Sequence, residues 1–341
     1  MSSYPAQGEQ DGPAPVRAPA PAPAPRRGGL TWLWVLIGIA AVVLIPTLIC
    51  GALGFGLVAA SMGGTSAGTA LVPSVALIPV EGTITSTGVA SVAGAAVSGV
   101  IIDQIERAEA DPNIRAIVLR INSPGGEVVA SDEIYHALTL VDKPIVVSMG
   151  SLAASGGYYI AAAADYIFAT PHTFTGSIGV ISRFVTVEEL LDEYGVEVTV
   201  VSSGDVKDFG SFYRDVTPEE AAYWQDIIDE AYEGFVQIVA EGRGLDPEQV
   251  RSFADGRIIT GLQALDLGLV DEIGYLPDAI AYAGELGGIE GEPNVVEYTF
   301  TPGLLQVLYG YSSQAAPFAG LEESLSDLMT PRLEYRYPGG P

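Results

Sequence analysis

A chain of 341 residues with 48% hydrophobic and only 17% charged side chains holds enough apolar material for a sizeable core and for a membrane segment besides. Its formal net charge of −27, from 42 acidic and 15 basic side chains, speaks against DNA or RNA as a partner. Cys50 is the only cysteine and His136 and His172 are the only histidines, so an internal disulfide is excluded and a multi-histidine metal site is disfavoured.

Residues 1–29 contain the Ala-Pro alternation from Ala14 to Pro25. Such a run cannot bury a core and favours extended conformations, so it is expected to be a disordered cytoplasmic tail. Residues 30–52 are uncharged, begin with Trp32 and Trp34, and follow Arg26 and Arg27. About 20 apolar residues cross a bilayer core, and the arginines place the N-terminal side in the cytoplasm. This segment therefore reads as a single-pass transmembrane anchor with the body outside the cytoplasm. A cleaved signal peptide is the alternative, for which the apolar run is long and the leader extended. Residues 53–73 read as a flexible tether, 74–288 as the enzyme body and 289–341 as a C-terminal extension outside the main sheet.

Within the body, Val75–Val80 predicts a buried strand and Val92–Ala110 a helix. Ala116–Ile121 predicts a strand, Val128–Val141 a helix and Pro144–Met149 another strand. Ala153–Ala163 reads as a buried helix of small residues, Tyr166–Ala169 as a short strand and Val187–Tyr194 as a helix. Val196–Val201 predicts a strand and Pro218–Val239 a long amphipathic helix. Alternating strands and helices argue for an α/β fold with a mostly parallel sheet.

Three short segments carry possible chemistry. In Ala153-Ala154-Ser155-Gly156-Gly157-Tyr158-Tyr159, a serine stands where a strand turns into a helix. A hydroxyl there meets the positive end of the helix, beside the free N–H of Gly156, which suits acyl transfer. A helix-capping serine is the plainer alternative. Ser123-Pro124-Gly125-Gly126-Glu127 ends a strand with two glycines, which either expose N–H groups to a ligand or simply make a tight turn. Lys207 follows a predicted strand in Gly204-Asp205-Val206-Lys207-Asp208. It is either a base held neutral in a pocket or a solvated loop lysine. Lys143, the only other lysine, looks like a surface residue at the start of a strand. His172 offers a histidine base in principle, with no aspartate signalled to orient it.

Taken together with Arg120-Ile121-Asn122, Thr175-Gly176-Ser177-Ile178-Gly179-Val180 and Gly261 to Val270, these segments resemble the signal peptide peptidase A family of membrane serine proteases. The resemblance spans about Val75 to Ala281. It implies a Clp protease/crotonase-like ββα superhelix and a Ser/Lys dyad, with Ser155 as nucleophile and Lys207 as general base. It further implies that Ser177 supports the lysine and that Gly126 and Gly156 donate to the oxyanion. Family members look like ring- or dome-shaped homo-oligomers with serine and lysine supplied by neighbouring subunits. The implied substrates are signal-peptide remnants and other membrane-associated peptides, and the implied chemistry needs no metal or organic cofactor. The C-terminal Thr330-Pro331-Arg332-Leu333-Glu334-Tyr335 resembles the end of some members, and is expected to dock on the body and enter the groove as a self-inhibitory or self-cleaved segment. A crotonase-type acyl-CoA enzyme and a catalytically silent membrane scaffold are the rival expectations on the same fold.

Overall fold

In the computed structural model, residues 64–66, 70–87, 94–301 and 332–339 are described. The expected tail and membrane anchor lie outside these residues, and among the described residues no helix is long and apolar enough to cross a membrane.

The chain's near-continuous apolar runs become parallel strands covered on both faces. Strands β1 (Gly64–Ser66), β2 (Ser74–Glu81), β3 (Thr83–Thr85) and β4 (Ala95–Val97) precede helix α1 (Ser98–Ala110). Then come β5 (Ile114–Ser123), β6 (Gly125–Glu127), α2 (Val128–Thr139), β7 (Ile145–Ala154) and the short α3 (Gly156–Ala161). Next are β8 (Tyr166–Ala169), β9 (Phe174–Gly176), α4 (Glu188–Glu193), α5 (Pro218–Arg243) and α6 (Pro247–Arg251). The described chain closes with β10 (Ile258–Thr260), α7 (Gly261–Asp266), β11 (Glu272–Ile273), α8 (Leu276–Leu286), β12 (Asn294–Glu297), β13 (Thr299–Thr301) and β14 (Glu334–Arg336).

The main sheet runs β10-β9-β7-β5-β2-β12, with β8 on β7 and β11 on β8. All of its pairings are parallel except β10 on β9. Side-chain alternation along the strands divides the core. Val75, Ala116, Val118 and Val146 face Ala279 and Ala283 of α8. Their neighbours Ala76, Ile78, Ile117, Leu119 and Val147 join Ile101, Ile105, Ile134 and Leu138 of α1 and α2 on the other face. Helix α5 is set by a capping box, in which Thr217 accepts from the Glu220 N–H and Glu220 reaches back to Thr217. A left-handed Gly244 at φ 63° ends it.

The body is thus the mixed α/β fold expected, with several corrections. Ala95–Val97 is a strand, because its backbone pairs in parallel with Thr83–Thr85, and α1 starts only at Ser98. Strand β7 runs through Ala154 instead of stopping at Met149, since β9 gives its second half a new partner, Leu152↔Phe174 to Ala154↔Gly176. The helix expected from Ala153 shrinks to Gly156–Ala161. Val196–Val201 forms no strand: no ladder partner reaches it among the described residues, and Val196, Val198, Val200 and Val201 stay exposed. β propensity does not make a strand without a neighbour. Asn294–Glu297, expected outside the main sheet, extends it along β2. Gly64–Ser66 of the expected tether pairs with Thr299–Thr301.

Candidate active site

Strands β5 and β7 end side by side, and the groups of interest gather at their carboxyl ends, the usual ligand side of a parallel sheet. Ser155 follows β7 directly, with φ 54° and ψ −118°. A non-glycine residue at positive φ is held there against about 1–3 kcal/mol of local strain. The backbone around it supplies the restraint. The Ser155 N–H donates to the Gly176 carbonyl at 2.8 Å, and the Ser155 carbonyl accepts from Tyr158 and Tyr159 at 2.9 and 2.8 Å. The side chain makes no capping hydrogen bond. That separates Ser155 from an ordinary capping serine, whose hydroxyl would be engaged.

Ser177 lies beside it. Residue Gly176, whose carbonyl holds Ser155, immediately precedes Ser177, and the Ser177 N–H is fixed by the Arg257 carbonyl at 2.8 Å. Ser155 and Ser177 are the only non-glycine residues at positive φ among those described, and both are buried. The glycine turn faces them. Gly125 has φ 88°, and a Cβ there would lie 2.5 Å from the Gly156 nitrogen and collide with the Tyr335 carbonyl. A Cβ on Gly156 would lie 2.5 Å from Ser131 Oγ and 3.2 Å from Gly125 Cα. Gly126 has no room either, because a Cβ would strike the backbone of Ile84. The turn is tied down by Ser123, whose hydroxyl donates to the Gly82 carbonyl at 2.6 Å and accepts from the Gly125 N–H at 3.0 Å. Ser123 was visible in the motif, but nothing in the sequence signalled this bridging role.

The groove between this turn and Ile181 is filled by the chain's own C-terminal segment. Strand β14 pairs antiparallel with β6, setting Glu334 against Glu127, Tyr335 against Gly126 and Arg336 against Gly125. Val128 donates to the Leu333 carbonyl at 3.3 Å and Tyr337 to the Pro124 carbonyl at 2.8 Å. On the opposite side, Glu334 and Ile181 exchange backbone hydrogen bonds of 3.0 and 3.1 Å. The Tyr335 ring is buried, stacked 4.9 Å from Tyr159 and tilted against Phe235 at 4.7 Å, and its hydroxyl donates to the Ala231 carbonyl at 2.8 Å. Burial pushes the Tyr335 phenol well above its ordinary pKa, so it stays a neutral donor. This aromatic pocket escaped the sequence reading because its walls come from α3, α5 and the tail.

Lys207 is elsewhere. It sits exposed in the turn after the unpaired valine segment, and no hydrogen bond joins it to Ser155 within the single chain. Among the described residues its ammonium makes no hydrogen bond or ion pair. Lys143 is engaged: its ammonium donates to the carbonyls of Ala108, Glu109 and Asp111 at 2.8, 2.6 and 2.7 Å, closing the end of α1. Its expected surface position is therefore partly buried, and desolvation draws its pKa down. His172 is exposed and makes no hydrogen bond to Ser155. No cluster of His, Cys, Asp or Glu suited to a metal occurs among the described residues.

A buried serine beside a glycine turn, with an extended segment laid along that turn, is the arrangement of a peptide-binding acyl-transfer site. Known proteins agree with it. The sequence model of Peptidase family S49 matches residues 139–290, and that of Clp protease matches residues 90–175. A candidate protease from Synechocystis is 46% identical over 216 residues, covering 62% of this chain and 78% of that protein. A candidate signal peptide peptidase SppA from Enterococcus faecium is 36% identical over 253 residues, covering 70% of this chain and 73% of its own. The chain belongs to peptidase family S49. It is a serine peptidase, and its substrates are peptides. The resemblance also extends to Protease 4 of Salmonella typhi, 44% identical over 190 residues, which covers 55% of this chain and 31% of that longer protein. With the family shown, the acyl-CoA and silent-scaffold expectations are set aside for this S49 peptidase.

Proposed function

We propose that this peptidase is a membrane-anchored endopeptidase that uses Ser155 as nucleophile and Lys207 as general base. In this reading neutral Lys207 takes the Ser155 hydroxyl proton, and the alkoxide attacks a peptide carbonyl. The N–H groups of Gly126 and Gly156 hold the oxyanion, each worth roughly 3–4 kcal/mol of transition-state stabilisation. Lys207 then protonates the leaving amine, and water releases the acyl group from Ser155. Ser177 steadies the lysine amine. Carrying the reading is the Ser155 geometry: an uncommitted hydroxyl at φ 54°, ψ −118° beside the glycine turn.

Because Lys207 has no bond to Ser155 of its own chain, we assign the base to a neighbouring copy in a homo-oligomer. Supporting this is the exposure of Lys207 and of the valine segment before it. Residues 30–52 serve as the anchor, 53–73 as the tether, 74–288 as the protease domain and 289–341 as the C-terminal extension. The N-terminus is cytoplasmic and the protease domain lies on the other side of the membrane, where it hydrolyses signal-peptide remnants and other membrane-associated peptides. Substrate binds extended along β6, as β14 does, and the docked tail is self-inhibitory. The pairing of Tyr335 with Gly126 favours this last point.

Labelling with a serine-directed acylating probe tests the assignment. Labelling should vanish in Ser155→Ala and collapse in Lys207→Ala while both variants remain folded. Equal labelling of Ser155→Ala and the parent would sink it.

A further inference from the structure

Lys207 stands next to an acid. Asp208 follows it directly, and a carboxylate there is able to pair with the lysine ammonium and hold it charged. The structure occupies that carboxylate instead. Arg214 grips Asp208 with two hydrogen bonds, Nε to Oδ2 at 2.9 Å and Nη2 to Oδ1 at 2.8 Å. The same guanidinium grips Glu220 at the start of α5, Nη1 to Oε2 at 2.9 Å and Nη2 to Oε1 at 2.6 Å. Glu220 is also bound by the Thr217 N–H at 2.9 Å, so the clamp is anchored in the capping box of α5. One residue further, the Phe209 ring lies 5.2 Å from Trp224 and 5.3 Å from Phe184. The two residues after Lys207 are thus fixed to α5, one by ionic bonds and one by aromatic packing.

Other charged groups lie on the elements meeting here, among them Asp215 beside Arg214 and Glu189, Asp192 and Glu193 of α4. Asp205 lies in the same turn as Lys207. Glu188 of α4 accepts from the Asp215 N–H at 2.6 Å, and Arg183 pairs with Glu334 at 3.4 Å. Glu219 stands in the first turn of α5, where the helix favours a negative charge.

We propose that Arg214 is a positioning residue for Lys207: by holding Asp208 against Glu220 it aims the lysine turn and keeps the adjacent carboxylate from pairing with the lysine amine. This rests on Lys207 being the general base. An arginine suits the task because its planar fork makes four hydrogen bonds to the two carboxylates, more than the three N–H donors of a lysine allow.

The test is the pH dependence of Ser155 acylation by a fluorophosphonate probe, with kcat and KM for a reporter peptide, on the full chain in detergent. Arg214→Gln should move the midpoint of the acylation profile upward by about one pH unit. It should lower kcat about tenfold at neutral pH with KM within about twofold. Adding Asp208→Asn to that variant should return the midpoint to its original value, since the released carboxylate is gone. A merely structural role for Arg214 predicts no such rescue. Arg214→Lys, which keeps a charge but not the double fork, should shift the midpoint in the same direction by less. It carries the same test if Arg214→Gln does not fold. An unmoved midpoint, or a raised one that persists with Asp208→Asn, overturns the proposal. Lys207→Ala separates the two levels: if it acylates at the parental rate, the lysine assignment itself has failed. If it is inert while the Arg214 variants behave like the parent, only the positioning role has.

Discussion

The serine side and the lysine side of this molecule are built by different means. Around Ser155 the restraints are backbone hydrogen bonds between strand ends and helix starts, in a region buried on both faces of a parallel sheet. Around Lys207 they are side-chain ion pairs and three aromatic rings, on a segment whose valines face outward. Backbone ladders in a dry core set atoms within narrow limits, whereas ion pairs near solvent are weak and salt-sensitive. The serine side is thus held by the backbone of the sheet, whereas the lysine side depends on side-chain contacts beside an exposed segment.

That contrast can be broken from the serine side with the largest effect. Ser155→Ala should cut peptide hydrolysis by about a thousandfold or more. It should leave the melting temperature within about 2 °C of the parent, because the hydroxyl makes no hydrogen bond that folding needs. Calorimetry beside a peptidase assay checks both halves. Gly125→Ala should cost about a hundredfold in kcat and also destabilise the fold, since the site has φ 88° and no room for a Cβ. A variant with parental rate and stability would show that the turn is looser than its geometry implies.

Much of this division was legible beforehand. The run Ala153 to Tyr159 exposed the strand-to-helix turn, because small residues around a lone serine leave few other structures. Gly125 and Gly126 marked the facing turn for the same reason. The continuation of β7 was not legible, because Gly150 and Ser151 look like a strand end until β9 is known to pair with the residues beyond them. The opposite error occurred at Val196–Val201, where alternating valines promise a strand but no partner strand reaches them among the described residues. Pairing is a property of the whole chain, and local pattern reports only readiness for it. The Tyr335 pocket and the Arg214 clamp were hidden for a related reason: each is assembled from segments distant in sequence or from side-chain forks that no spacing rule encodes.

Smaller effects sharpen the comparison. Tyr335→Ala removes a buried aromatic side chain and a hydrogen bond, a loss of about 3 kcal/mol in tail docking. It should raise the rate of Ser155 labelling several-fold, and hydrogen exchange at Gly126 and Glu127 should quicken with it. Unchanged labelling would mean that the tail does not limit access. The smallest effect is confined to the lysine side. Arg214 and the Thr217 N–H pull the Glu220 carboxyl down to about 2, below the ordinary value of about 4.3. A depressed carboxyl adds stability that is fully present above about pH 4.3 and lost as pH falls through about 2. Glu220→Gln should flatten the dependence of melting temperature on pH in that window only, and an identical slope in both proteins would count against the clamp.

The docked C-terminal strand has a kinetic corollary. A strand carried on the same polypeptide as the groove it fills cannot be diluted away, because its local concentration is set by chain connectivity and not by how much protein is present. Under the proposed self-inhibitory role, a peptide that pairs with the same edge of β6 would have to outcompete the tail at every enzyme concentration alike, so the labelling rate of Ser155 per molecule should not change on dilution.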